Sequence, residues 1–219
     1  MKNSDNKISI IIRNKNENEF IGFTIQSVLD TFKKDDIEII VIDNNSSDDS
    51  LEIVKLFNMC DISIFKIDNY MPGRALNTGV SACSHDTVLV LSAHSQIVGN
   101  ICIKSIKDRL DNYCCVFGKQ VPVFRGKKIS RRYIWSNFTD SDSKNMWSKL
   151  ENRYFLHNAF CFYRKKTLMD HPFDETLPGK EDRYWIKRMI DLNYSSYYDS
   201  SITCFHHWTV NGATWKGIG

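Results

Sequence analysis

At 219 residues and 42% hydrophobic content, the chain can bury one substantial core and little more. Its net charge of +3, spread over scattered Lys and Arg residues, argues against an extended nucleic-acid surface and suits an anionic small molecule or loose contact with anionic lipid. The seven cysteines are odd in number and follow no C-x-x-C spacing, which predicts free buried thiols in a reducing compartment. Met1 to Lys7 is polar and no apolar run reaches membrane-spanning length, so the expected location is cytoplasmic.

Ile8 to Ile12 is an apolar, β-branched run that predicts a strand buried on both faces. Phe20, Ile21, Ile25, Val28, Leu29 and Phe32 then recur at helical spacing. A second buried strand is predicted at Ile37 to Ile42, ending in the turn and helix cap Asp43-Asn44-Asn45-Ser46-Ser47. Leu51, Val54 and Phe57 mark the inner face of the next helix, and Ile62 to Ile67 is a third strand. Pro72-Gly73 opens a short helix carrying Leu76 and Val80, and Thr87 to Leu91 is a fourth strand. Repeated βα units predict a doubly wound parallel sheet with ligands bound where its strands end.

Beyond this half the pattern loosens. Ile101, Ile106 and Leu110 predict a helix, Cys114 to Phe117 and Asn158 to Tyr163 predict strands, and Arg164 to Met169 a short helix. Arg125 to Arg153 is polar and aromatic without a clear period, and includes Arg131, Arg132, Tyr133, Trp135 and Trp147. Glu181 to Leu192 is a stronger helix, and Tyr197 to Phe205 a last strand before His206-His207-Trp208. No repeat or linker divides the chain. It reads as one domain, with residues 1–99 forming a nucleotide-binding half and residues 100–219 a more irregular half.

The loops after the first, second and fourth strands are expected to meet in one crevice. They carry Arg13, Asn16 and Glu17; Asp43 to Ser46, including Asn45; and Ser92-Ala93-His94-Ser95. Asp43 and Glu17 can accept hydrogen bonds from ribose hydroxyls or a base N–H, and Arg13 and Arg74 can meet phosphate oxygens. Asp43 and Ser46 equally suit a purely structural turn. His94 follows a strand of aliphatics, so its imidazole should face the crevice. With His206 or His207, water and phosphate oxygens it can complete a six-coordinate Mn²⁺ or Mg²⁺. Glu181-Asp182 opens a helix, where unpaired N–H groups favour negative charge. Such a pair is commonly an ordinary charged first turn; at the floor of a cleft it is a general base for a hydroxyl.

In order, Ser9-Ile10-Ile11-Ile12 with Asn16-Glu17, Ile40-Val41-Ile42-Asp43-Asn44-Asn45-Ser46-Ser47-Asp48, Gly73-Arg74-Ala75-Leu76-Asn77-Thr78-Gly79, Leu91-Ser92-Ala93-His94-Ser95 and Pro172-Phe173-Asp174-Glu175-Thr176-Leu177-Pro178 lead to Glu181-Asp182. Over nearly its whole length the chain resembles glycosyltransferase family 2. The Ser-Ala-His and Phe-Asp-Glu segments look most like the bacterial branch that builds surface polysaccharides, including rhamnosyltransferase-like members.

The resemblance implies a GT-A fold: a Rossmann-like, doubly wound, mostly parallel sheet with helices on both faces and an irregular acceptor-side half. It implies an inverting transfer from a nucleotide-diphosphate sugar to a glycan or lipid-linked glycan hydroxyl, with no nucleic-acid partner and room for peripheral contact with the inner membrane. Asp43 would contact the nucleoside, helped by the loop from Arg13 to Glu17, while Arg74 and Asn77 would lie near ribose and diphosphate. Asp182 would deprotonate the acceptor, Glu181 would contact acceptor or donor sugar, and His206 would ligate metal, with His207 as its rival. One departure stands out, because Ser92-Ala93-His94 replaces the family's Asp-x-Asp. Ser92 can still bond ribose and His94 can still bind Mn²⁺, but two negative charges are lost. Trp135, Trp147 or Tyr133 could stack on an acceptor sugar or simply pack. A nucleotidyltransferase and a non-catalytic sugar-nucleotide or glycan-binding module are the competing functions.

Overall fold

The computed structural model describes residues 6–128 and 133–212. Arg131 and Arg132 lie outside the described residues. The elements are, in chain order, β1 (Ile8–Asn14), α1 (Ile21–Thr31), β2 (Ile37–Asp43), α2 (Ser50–Lys55), β3 (Ile62–Lys66), α3 (Pro72–Ala82), β4 (Thr87–Ser92) and β5 (Ser95–Val98). They continue with α4 (Ile103–Leu110), β6 (Cys115–Phe124), β7 (Lys127–Lys128), β8 (Ser143–Lys144), β9 (Trp147–Ser148) and β10 (Arg153–Tyr154). The last are β11 (Phe160–Arg164), α5 (Lys165–Asp170), α6 (Glu181–Asp191) and β12 (Ser196–His207), with 3₁₀ turns at Lys34–Asp36 and Tyr133–Asn137.

The main sheet runs β3-β2-β1-β4-β11-β6-β12-β5. β1, β2, β3 and β4 pair in parallel, as do β6 and β12, while β11 is antiparallel to both β4 and β6. Alternation along the central strands sorts side chains to two faces. Ile11, Ile40, Ile42, Val88 and Val90 join one buried cluster with Leu76, Trp185 and Ile186. Ile8, Ile10, Ile12, Ile39, Val41, Leu89 and Leu91 join the other with Ile21, Ile25 and Val28 of α1. Helices therefore cover both faces, and the central strands are the continuous apolar runs that such burial requires. β3 is an edge strand and only partly buried.

Two features depart from the sequence expectations. β5 was not expected; its four residues extend the Ser92–Ser95 motif into a strand that pairs with β12. β6 runs to Phe124 rather than stopping at Phe117: Gly118, Lys119 and Gln120 interrupt the apolar pattern, but the strand goes on pairing with β12, which bulges between Asp199 and Thr203 opposite them. Gly118 is required there: a Cβ would come within 2.4 Å of the Phe160 ring. Trp135 is buried in the core, whereas Trp147 is half-exposed and packs edge-on against Tyr154. All seven cysteines are free thiols. No helix among the described residues is long and apolar enough to cross a membrane.

Candidate active site

The carboxyl ends of β1, β2 and β4 lie side by side. Asn14 is in register with Asp43, and Arg13 with Ser92. Above them opens a cleft of about 360 Å³ lined by Arg13, Lys15, Glu17, Tyr70, Ser92 and His94 on one side. His157, Asn158, Lys180, Glu181, Asp182, Arg183 and His206 contribute further walls. Strands far apart in sequence thus supply one concave, polar site at the position expected for an open α/β sheet.

Glu181 and Asp182 occupy the first turn of α6, behind Lys180, whose φ of 58° turns the chain into the helix. Both carboxylates are nearly buried, at 5% and 4% exposure. Glu181 Oε1 accepts from Arg13 Nη1 at 2.8 Å. Asp182 Oδ2 accepts from the Asn158 backbone N–H at 3.0 Å, and its Oδ1 from the Arg183 N–H at 2.8 Å. The buried Arg183 guanidinium also reaches Asp182 and lies 4.8 Å above the Phe155 ring. Burial opposes the charge on Arg13, but Tyr70, Glu181 and Asp182 outweigh it and hold its pKa above the usual arginine value. Both arginines are fixed cations beside the carboxylate pair.

His94 stands at the tip between β4 and β5, where Thr24 Oγ1 of α1 donates to the Ala93 carbonyl at 2.8 Å and anchors the turn. Its Nδ1 lies 3.1 Å from Glu17 Oε1 and its Nε2 3.1 Å from His206 Nε2. The β5–β12 register delivers His206 by pairing it with Ser95, and the His207 N–H donates to the His94 carbonyl at 2.9 Å. His207 itself turns away, stacked on Phe20 at 5.0 Å with Nε2 2.7 Å from Gln96 Oε1. Burial, reinforced by His94 and His157, keeps the pKa of His206 well below the ordinary imidazole value.

His94 and His206 fit a divalent ion as a pair. Two imidazole nitrogens sharing one ion stand about 3 Å apart. Glu17 Oε2 beside them is buried without a hydrogen-bond partner, an uncompensated acceptor that a cation would offset. Among the described residues, no group of three His, Cys, Asp or Glu side chains forms a ready cage, so the protein offers two ligands and further positions must come from elsewhere.

The other expected binding residues brace the loops rather than line the cleft. Asp43 is fully buried; it accepts from Asn14 Nδ2 at 2.8 Å, Ser46 Oγ at 2.6 Å and the Ser46 N–H at 3.0 Å. Asn16, at φ 50°, accepts from the Ser47 N–H at 2.7 Å, and Asn45, at φ 49°, donates to Asp68 at 3.2 Å. Arg74 donates to Glu175 at 3.3 Å, while Asn77 donates to the Phe173 carbonyl at 2.9 Å and accepts from its N–H at 3.0 Å. These two residues fasten α3 to the segment leading to α6. Sequence reasoning missed His157, Asn158, Arg183 and Gln120. The polar pair His157-Asn158 between apolar neighbours was the visible signal for the first two.

The family model "Glycosyl transferase family 2" matches residues 9–172. Among curated proteins, the chain is 26% identical over 184 residues to GalNAc(5)-diNAcBac-PP-undecaprenol beta-1,3-glucosyltransferase of Campylobacter jejuni, a match covering 82% of this chain and 59% of that protein. It is 38% identical over 192 residues to the minor teichoic acid biosynthesis protein GgaA of Bacillus subtilis, covering 83% of this chain and 43% of that protein. The chain therefore spans less than two thirds of either relative's length. Among solved structures, S. aureus TarS 1–349 in complex with UDP-GlcNAc superposes with a TM-score of 0.69 at 20% identity, over 94% of this chain and 60% of that one. The mannosyltransferase PcManGT from Pyrobaculum calidifontis, in complex with GDP-Man and Mn²⁺, gives 0.69 at 14% identity, over 96% and 59%. These structures share its fold, a mixed α/β arrangement around a curled, mostly parallel sheet. With the family model matching most of its length, the chain belongs to glycosyl transferase family 2.

Proposed function

We propose that this chain is a single GT-A catalytic domain of an inverting glycosyltransferase. It would move a sugar from a nucleotide-diphosphate donor to a hydroxyl of a glycan or lipid-linked glycan during bacterial surface-polysaccharide assembly. The observation that carries this reading is the meeting of Glu181 and Asp182 with His94 and His206 in one cleft at the strand ends. One named relative is a glucosyltransferase for a PP-undecaprenol-linked glycan and the other serves teichoic acid biosynthesis, while the structural neighbours hold UDP-GlcNAc or GDP-Man, which supports a nucleotide-sugar donor.

In this reading residues 1–99 hold the donor and residues 100–219 supply the acceptor side and the catalytic carboxylates. Arg13, Glu17 and Ser92 face the donor, with Lys15 adding positive charge for its phosphates. Asn16, Asp43, Asn45, Arg74 and Asn77 act on the donor through the loops they brace. Asp182 takes the proton of the acceptor hydroxyl as its oxygen attacks the anomeric carbon from the face opposite the leaving diphosphate. Glu181, tethered to Arg13, contacts donor or acceptor sugar. His94 and His206 would hold Mn²⁺ or Mg²⁺, which supplies charge neutralisation at the leaving diphosphate. Imidazole donors favour Mn²⁺ over the harder Mg²⁺.

A second assignment makes Glu181 the base. It is favoured by the hydrogen bonds that both oxygens of Asp182 already accept from Arg183 and Asn158. Work at the cytoplasmic face of the membrane is supported by the β6–β7 turn, where Arg125 lies over the part-exposed Phe124 ring and Lys127 and Lys128 follow on the paired strand.

Incubation with a panel of UDP- and GDP-sugars plus Mn²⁺ tests the reading, with nucleoside diphosphate release as the readout. Release from at least one donor, faster with a glycan acceptor, is expected. A chain that binds a donor without releasing diphosphate would be the non-catalytic binding module instead.

A further inference from the structure

A chain of hydrogen bonds running from β11 into the cleft fixes which nitrogen of His206 carries its proton. It begins with the backbone N–H of Ala159, which can only donate and lies 3.3 Å from His157 Nδ1. His157 Nδ1 is therefore an acceptor. A ring whose Nδ1 accepts carries its single proton on Nε2.

Gln120, in the middle of β6, is the next link. Its Nε2 faces two acceptors, His157 Nδ1 at 3.1 Å and the His157 carbonyl at 3.4 Å. The amide NH₂ must point there, which leaves Gln120 Oε1 on the opposite side. That oxygen lies 2.9 Å from His206 Nδ1 and can only accept. His206 accordingly carries its proton on Nδ1, and its Nε2 lone pair points at the cleft.

The same logic applies from the other wall. Glu17 Oε1, 3.1 Å from His94 Nδ1, is an acceptor and draws the His94 proton to Nδ1. With its proton on Nδ1, His94 turns its Nε2 lone pair toward that of His206, 3.1 Å away. Two lone pairs facing each other at hydrogen-bond distance repel unless an electrophile lies between them. The Ser92 hydroxyl, 3.2 Å from His94 Nε2, can donate to one of them, and a cation held by both rings would engage both.

We propose that Gln120, with Glu17 opposite it, is a positioning residue that locks His206 and His94 into the tautomers whose Nε2 atoms jointly ligate a divalent cation. This rests on the reading of His94 and His206 as the metal ligands. It gives Glu17, which faces the donor, a second role in orienting His94 through Oε1. It also accounts for a fully buried glutamine in the middle of a strand, since an aliphatic side chain there would leave His206 free to adopt either tautomer.

Two measurements test it. Histidine-ring ¹⁵N NMR on the metal-free wild-type protein at neutral pH is expected to show His206 protonated at Nδ1; protonation at Nε2 overturns the lock itself. Calorimetric titration with Mn²⁺ alone is expected to show binding that Gln120→Leu weakens about ten- to a hundredfold. Gln120→Glu, which keeps an acceptor for the His206 Nδ1–H, should recover most of that loss. Wild-type affinity in Gln120→Leu overturns the positioning role. A wild-type protein that shows the Nδ1–H tautomer yet binds no Mn²⁺ overturns the ligand assignment of His94 and His206. If Gln120→Leu unfolds, judged by its thermal midpoint, the wild-type NMR result and the Gln120→Glu titration decide.

Discussion

The Nη1 atom of Arg183 lies 2.9 Å and 2.8 Å from the two carboxylate oxygens of Asp182. Arg183 is 2% exposed, and its Nη2 also reaches Glu151 Oε1 at 3.4 Å. Neighbours in sequence at a helix start thus form a buried ion pair that points Asp182 into the cleft. Burial works against the arginine charge, and Asp182 and Glu151 overcome it and raise its pKa. Removing the guanidinium strands buried carboxylate charge. Arg183→Met should cost about 3–5 kcal/mol of stability by urea unfolding. A loss below about 1 kcal/mol would mean that the pair is solvated and contributes little.

Gly73 holds α3 against the segment that leads to α6. A Cβ there would lie 2.2 Å from the Asp174 carbonyl oxygen, and backbone on both sides leaves little room to yield. Gly73→Ala should therefore destabilise the fold by about 1–3 kcal/mol, despite alanine's better helix propensity. Because Arg74 and Asn77 fasten the same segment, donor affinity should weaken as well. An alanine variant as stable as the parent would contradict the close contact.

Acid should destabilise the protein before its carboxylates titrate. Burial depresses the pKa values of His157 and His206, and that of the half-buried His207 is lowered for the same reason. In the unfolded chain each histidine titrates near about 6.5. Above that pH neither state binds the proton, so stability is flat. Below it the unfolded chain takes up protons that the folded chain excludes, and stability falls by about 1.4 kcal/mol per pH unit for each fully excluded group. Urea midpoints should drop between pH 6.5 and 5, and His157→Gln should make that slope shallower. A flat profile across this window would contradict neutral burial.

His94→Ala removes one of the two facing imidazoles. Activity should fall, and its dependence on added Mn²⁺ should shift to higher concentration by about tenfold or more. Activity that ignores both the substitution and a chelator would remove the cation from the mechanism.

The strand ends were legible in the sequence because β1, β2 and β4 are mainly aliphatic runs, broken only by Ser9 and Glu38, that stop at polar turns. The Glu181-Asp182 helix start was equally visible. What could not be read was convergence. His94 and His206 meet through the pairing of β5 with β12, and β5 is a four-residue strand with no periodic signature. Gln120 was hidden for a related reason. Gly118 and Lys119 disguise the middle of β6 as a loop, although backbone pairing to β12 carries the strand through. Asp43 shows the reverse limit: its turn chemistry was readable, but only its complete burial shows that Asn14 and Ser46 occupy its carboxylate.

The most direct test of the account compares Asp182→Asn with Glu181→Gln in a sugar-transfer assay, alongside nucleotide binding by calorimetry. Asp182→Asn should lower transfer by at least about a hundredfold, the scale of a lost general base, while nucleotide affinity stays within about twofold of the parent. Glu181→Gln should retain measurable transfer. Full turnover by Asp182→Asn, with transfer lost in Glu181→Gln instead, would contradict the assignment and move the base to Glu181.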